Sequence, residues 1–459
     1  MRHQRLTALL AMGFTASVLA AGSMWTTPAA NAATAAAAPS AAPTPGSGAG
    51  GPAGALAPNP PGGGPATTAS SEPAYTISQA VSDRAQLDTI AFDALGFLTG
   101  NVGADSFFPP GKVADFFGFQ YLRDNDPSHM GHATDFLTSA AFNMLTDLTS
   151  AQRQQLITLA TSQVANINAF ATDRFVLLAA FNRLRDGELP AGTTGLSETA
   201  VKSYSATLYA LDDQLSFARA RVYGAILEKL TSTQRTYLDA MVGTGMTSWP
   251  TATQPPELHG LTPDVHVAVM TYASDMFSWY AGSAAADTYF CPERHGAYFG
   301  SFFLKDAPAV GNVDYSISTT LTGDMGSALL SKLTSTQAMR ITNLVNTQRP
   351  YLTRIVATRQ AIVAQLLKFK SGGSASSATV ADLERTYGEL DGAISYQYAT
   401  AFAAVAQTLT ATQRTQLMAM RTELDGSTLA TVSGAYLYST PIAMPAIPNT
   451  DFLFGSANK

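Results

Sequence analysis

The sequence predicts an all-α protein of two homologous antiparallel helical units, an internal duplication in which each unit carries an aromatic and proline-rich capping loop. Three observations predict it. A Leu-Thr-x-x-Gln pentad occurs four times, beginning at Leu148, Leu230, Leu333 and Leu409. Apolar residues after the pentads recur at steps of three and four, the stripe of an amphipathic helix. Sliding the chain by 182 positions sets residues 88–124 on 270–306 with 12 of 37 residues identical, among them Asp93 on Asp275, Asp105 on Asp287, Phe117 on Phe299 and Asp124 on Asp306. A repeat of so long a period reads as one supersecondary plan used twice.

Residues 1–32 have the three regions of a cleavable secretory signal: Arg2 and Arg5, the apolar run LTALLAMGFTASVLAAG, and Ala30-Asn31-Ala32. The expected destination is outside the cytoplasm, whether extracellular, cell-envelope or periplasmic. Residues 33–74 are almost all Ala, Pro, Gly, Ser and Thr, too poor in bulky side chains to offset the entropy of ordering, and are expected to form a disordered tether. Unit 1 follows at 75–245, a proline-rich linker at 246–263, unit 2 at 264–425, and an extended tail at 426–459, where AYLYSTPIAMP is the one strand-like piece. No apolar run past the signal approaches the ~20 residues of a membrane-spanning helix. Net charge is −6, without a Lys/Arg stripe, which argues against a nucleic-acid partner. The single cysteine, Cys291, has no partner for an internal disulfide, so the fold rests on its core.

Within unit 1, Leu156, Ala160, Val164, Ile167, Ala171, Phe175, Leu178 and Phe181 mark one long helix. The break DGELPAGTTG stops it, and a second long helix from about 199 to 229 returns antiparallel to the first. A shift of 185 sets Leu148 on Leu333, Gln152 on Gln337 and Arg174 on Arg359; a shift of 179 sets Asp212 on Asp391 and Leu230 on Leu409. The stretches SFFPPGKVADFFGFQYLRDNDP and TYFCPERHGAYFGSFFLKDAP are dense in aromatics, glycine and proline, as expected of non-helical capping loops and binding surfaces.

In each pentad the threonine precedes glutamine by three positions, the capping-box spacing. The Thr hydroxyl accepts from the backbone N–H of the Gln, and the Gln amide returns to the N–H of the cap. Thr149 with Gln152, Thr231 with Gln234, Thr334 with Gln337 and Thr410 with Gln413 are therefore expected to start helices. Leu148, Leu230, Leu333 and Leu409 stand where a hydrophobic staple would begin, yet the partner positions hold Arg153, Arg235, Ala338 and Arg414. The leucines are then expected to pack on neighbouring helices instead. Four pentads in an exported helical chain resemble the Spy/CpxP group of LTxxQ-motif periplasmic proteins. The resemblance implies a helical-hairpin cradle and a chaperone or metal-responsive role. The chain departs from that group in fusing two units, in its aromatic loops and in its scarcity of basic residues.

Candidate chemistry is sparse. His129, Met130 and His132, flanked by Asp126 and Asp135, could ligate copper, nickel or zinc. Cys291 and His295, four positions apart, form a second candidate for metal or thiolate chemistry. The bland readings are a helix-capping surface loop and a buried inert thiol, and neither cluster recurs in the other unit. Charges that do recur are Asp93/Asp275, Asp105/Asp287, Asp124/Asp306, Asp212/Asp391, Arg174/Arg359 and Arg123/Lys305; these fit structural ion pairs or a duplicated site. No HExxH, phosphate-binding loop, CxxCH or serine elbow occurs in the helical region. The expected function is a non-enzymatic exported binding protein holding unfolded protein, a peptide or an envelope component, with no cofactor unless a transition metal. The alternative is a metal-binding or metal-responsive envelope protein.

Overall fold

Helix dominates the computed structural model, which describes residues 83–100, 135–242, 244, 248–281, 307–309, 312–317, 320–425, 447 and 449–456. The signal, the tether, both aromatic loops, the tail piece AYLYSTPIAMP and the candidates His129, Met130, His132, Cys291 and His295 lie outside these residues. So do Asp105, Arg123, Asp124, Asp287, Lys305 and Asp306.

Eleven α-helices occur among the described residues. Helix α1 spans Asp83–Leu98, α2 Asp135–Asp147 and α3 Ser150–Asp186. Gly187 ends α3 in the left-handed conformation, φ 78°, which costs glycine nothing, and Arg183 and Arg185 favour the same helix end. Strand β1 (Gly195–Leu196) leads through the cap Ser197 into α4 (Glu198–Glu228), and α5 spans Ser232–Asp239. Helix α6 is Pro263–Ala281, followed by strands β2 (Ala307–Ala309) and β3 (Asn312–Ile317), which pair antiparallel. Helix α7 spans Thr320–Lys332, α8 Ser335–Thr342, α9 Leu344–Leu366, α10 Ser377–Ala406 and α11 Ala411–Asp425. Where α3 runs unbroken, α8 and α9 part at Asn343; Pro350 lies in the second turn of α9 and withholds an N–H from the helical ladder. A 3-10 turn carries α9 on to Ser371, and Gly372, φ 73°, closes it.

The long helices α4 and α10 form the centre, packed antiparallel along most of their lengths. Two glycines one turn apart set their separation. A Cβ at Gly388 would stand 2.7 Å from Ala206 Cα, and one at Gly392 2.8 Å from Lys202 Cα. Only bare backbone fits there. Around this pair the remaining helices exchange sides. Helix α1 packs along α7 and also touches α8, α9, α10 and α11, whereas α6 packs along α2 and α3. The leading helix of each sequence unit thus lies on the helices of the other.

The stretch expected to be a linker is docked. Trp249 is buried, stacks edge-on against Phe277 at 5.4 Å and donates its Nε1–H to Met241 O at 3.1 Å. Leu258 is buried, and Glu257 pairs with Arg153 at 2.6 Å. At the other end, strand β4 (Phe454–Gly455) pairs with β1, Gly195 against Gly455 and Leu196 against Phe454. Arg183 fastens it, donating to Thr450 Oγ1 at 2.8 Å and Asp451 Oδ1 at 2.7 Å and lying over the Phe454 ring.

Candidate functional site

Every pentad forms its capping box. The N–H of Thr149, Thr231, Thr334 and Thr410 donates to Oε1 of Gln152, Gln234, Gln337 and Gln413 at 2.8, 3.0, 2.9 and 3.0 Å, and each glutamine N–H returns to the threonine Oγ1 at 3.2–3.3 Å. Leu148, Leu230 and Leu409 are buried, and Leu333 is partly buried against the same core.

The glutamines also find each other, which the spacing alone does not foretell. Gln234 Nε2 donates to Gln152 Oε1 at 2.9 Å and to the carbonyl of Asp147, the last residue of α2, at 2.7 Å. In the second pair Gln413 Nε2 donates to Gln337 Oε1 at 2.8 Å and to the carbonyl of Lys332, the last residue of α7, at 3.0 Å. Gln337 Nε2 donates in turn to Thr408 O at 3.1 Å. Each pair of pentads therefore joins helix starts to helix ends in one corner, satisfying backbone groups that helix termini leave open.

The arginine after three of the pentads completes the corner. Arg153 donates to Leu145 O at 3.0 Å and also to Leu148 O; Arg235 donates to Leu227 O at 2.6 Å, and Arg414 to Ala406 O at 2.5 Å. Each reaches back eight residues to the carbonyl end of the preceding helix, where a cation is favoured. Ala338 holds this place in the third copy. Arg153 and Ser150 also hold Glu257 down at about 2 by hydrogen bonding. Across the first corner, burial pushes the Asp147 carboxyl up to about 7, and its Oδ2 has no hydrogen-bond partner.

Six of the recurring charges are described, and all six are buried: Asp93, Asp275, Asp212, Asp391, Arg174 and Arg359. Asp212 and Asp391 lie on α4 and α10, and the other four on helices packed against that pair. Tyr209 Oη donates to Asp391 Oδ2 at 2.6 Å, Ser216 Oγ to Asp212 Oδ1 at 2.9 Å, and Arg359 to Tyr387 Oη at 2.7 Å. Arg219 stands 3.6 Å from Asp275 and over the Tyr272 ring. Tyr398 donates to Gln348 at 2.5 Å, and Gln348 to Gln86 at 2.8 Å, tying α10 to α9 and α1. Glu384 is fully buried with no hydrogen-bond partner on either oxygen. Burial pushes its carboxyl well above the usual range; the charges of Asp212 and Asp213 add to this, and Arg359 and Arg219 oppose it. Buried charges of this kind are costly unless matched.

Clefts open on the described surface beside two of these helix ends. One of about 550 Å³ lies beside the β1/β4 pair and α10; the other, about 320 Å³, is lined by Leu227, Arg235, Asp239, Val242, Tyr280 and Lys370 at the end of α6. Tyr280 Oη donates to Asp239 there at 2.6 Å. Among the described residues no three His, Cys, Asp or Glu side chains are placed to hold a metal ion, and no helix is long and apolar enough to cross a membrane. Sequence reasoning singled out the glutamines and the recurring charges; it missed the three arginines and Glu384. The recurrence of arginine directly after three of the four pentads was the available signal.

No family model, curated protein or solved structure matches this chain.

Proposed function

We propose that the protein is an exported, non-enzymatic binding scaffold, duplicated within one chain, that holds a protein, peptide or envelope component through its two aromatic and proline-rich segments. The observation that carries this reading is where those segments leave the helical body. Segment 101–134 follows α1, whose end carbonyl at Phe97 accepts from Arg185 at 3.4 Å; segment 282–306 follows α6, whose end carbonyl at Trp279 accepts from Lys370 at 2.6 Å. A shift of 182 relates the two carbonyls and a shift of 185 the two cations. Both departures are thus braced in the same way.

The duplication is supported by helix boundaries. A shift of 185 carries α2 onto α7 and the α3 start at Ser150 onto the α8 start at Ser335, and it carries Gly187 onto Gly372. A shift of 179 carries the cap Ser197 onto the cap Ser376 and the α5 start at Ser232 onto the α11 start at Ala411. The body itself shows few exposed large apolar side chains among the described residues, Leu189, Met339, Met418 and Phe452. Client capture on this reading falls to the inserted segments. The test is suppression of aggregation of several unrelated clients at near-stoichiometric ratio without ATP. Replacing both segments by short Gly/Ser connectors is expected to abolish suppression while leaving the far-ultraviolet dichroism intact. A parent chain that protects no client, or a variant that protects as well as its parent, overturns the proposal.

A further inference from the structure

We propose that Glu384 is a proton-operated lock on the α4/α10 crossing, closed while its carboxyl is neutral and released when that carboxyl ionises. Glu384 lies near the start of α10, fully buried, and neither of its oxygens has a hydrogen-bond partner among the described residues. A carboxylate left bare in a core is far less favourable than the neutral acid in the same place. The charges that act on it are Asp212, Asp213 and Arg219 from α4 and Arg359 from α9. Both guanidiniums are engaged elsewhere: Arg219 stands 3.6 Å from Asp275 and over the Tyr272 ring, and Arg359 donates to Tyr387 Oη at 2.7 Å. Three carboxyls against two guanidiniums leave a negative charge over when all are ionised, and Asp275, which shares Arg219, adds to it. One proton on Glu384 relieves that excess.

The packing beside Glu384 keeps water from replacing the proton. One turn on, at Gly388, a Cβ would stand 2.7 Å from Ala206 Cα and 2.9 Å from the Tyr209 ring. An ionised Glu384 therefore gains solvent only if α4 and α10 part. The repeated plan does not call for an acid here: a shift of 179 sets Glu384 on Ser205, which is equally buried and carries no charge. Burial, then Asp212 and Asp213, raises the Glu384 carboxyl above its ordinary 4.5, and Arg359 and Arg219 oppose the rise. The native chain thus holds this proton more tightly than the unfolded chain does. The lock is complete below about pH 4.5 and weakens as pH rises toward the native value, by up to about tenfold in the unfolding equilibrium per pH unit.

The experiment compares the full chain with Glu384→Gln, a neutral side chain of the same shape. Infrared difference spectra at neutral pH are expected to show the C=O stretch of a protonated carboxyl in the parent and not in the variant. In denaturant titrations across pH 5–9 the parent's unfolding constant is expected to climb more steeply than the variant's, by up to about tenfold per pH unit; Asp147 titrates in both chains and cancels. Missing difference intensity, equal slopes, or a variant that fails to fold at neutral pH overturns the proposal. Asp213→Asn tests whether the cluster acts on the lock: with one like charge removed, the carboxyl band is expected to titrate at lower pH than in the parent, and an unchanged titration overturns that role.

Discussion

At Gln234 one side chain serves three helix ends: its oxygen caps the start of α5, and its amide reaches the last carbonyl of α2 and the glutamine that starts α3. Gln234→Ala is therefore expected to cost about 2–3 kcal/mol, as two or three hydrogen bonds at ~1 kcal/mol each, whereas Thr149→Ala, which loses one cap, costs about 1 kcal/mol. Urea denaturation of both single variants, together with the Gln152→Ala/Gln234→Ala cycle, checks this; a coupling near zero would mean the amides do not meet. Ala338 leaves the Leu330 carbonyl without the arginine that serves its counterparts, so Ala338→Arg is expected to raise stability by about 0.5 kcal/mol, read as a higher denaturation midpoint. Asp147 brings a pH dependence whose sign is definite. Its native carboxyl binds a proton more tightly than the unfolded chain does, at about 7 against 3.8. The associated stability is complete below about pH 4, declines as pH rises and is gone above about 7. Asp147→Asn flattens that slope, measurable as denaturation midpoints across pH 4–8.

Helix starts and stops were legible because the signals are local. Thr149, Ser197, Gly187 and their counterparts each act within a few residues of themselves, so the expected second helix at 199–229 falls at 198–228. What brings helices together was not legible. Gly388 and Gly392 look like ordinary helix-weakening residues until α4 is laid across them. Gly388→Ala pushes a methyl group into the Ala206 backbone and is expected to cost about 1–3 kcal/mol, more than the same change at the open Gly195; thermal melts of the two variants side by side decide it. The recurring aspartates and arginines had two readings in the sequence, and their burial on and around α4 and α10 follows from packing that no single segment contains.

Taken whole, the chain reads as two consecutive units yet packs as an exchange, with α1 on the second half and α6 on the first. Repeats are visible in one dimension; which copy a helix leans on depends on loop paths and side-chain fit across the molecule. The exchange predicts a single cooperative unfolding transition. Fluorescence from Trp249 and Trp279, both on the first-half side, should coincide with helix dichroism throughout a denaturant titration, and two separated steps would contradict it. The strand pair of Gly195 and Leu196 with Phe454 and Gly455, locked by Arg183, has a mechanical outcome. Tension applied beyond Ser456 enters the molecule at the α3–α4 turn, and a two-residue zipper is expected to give first.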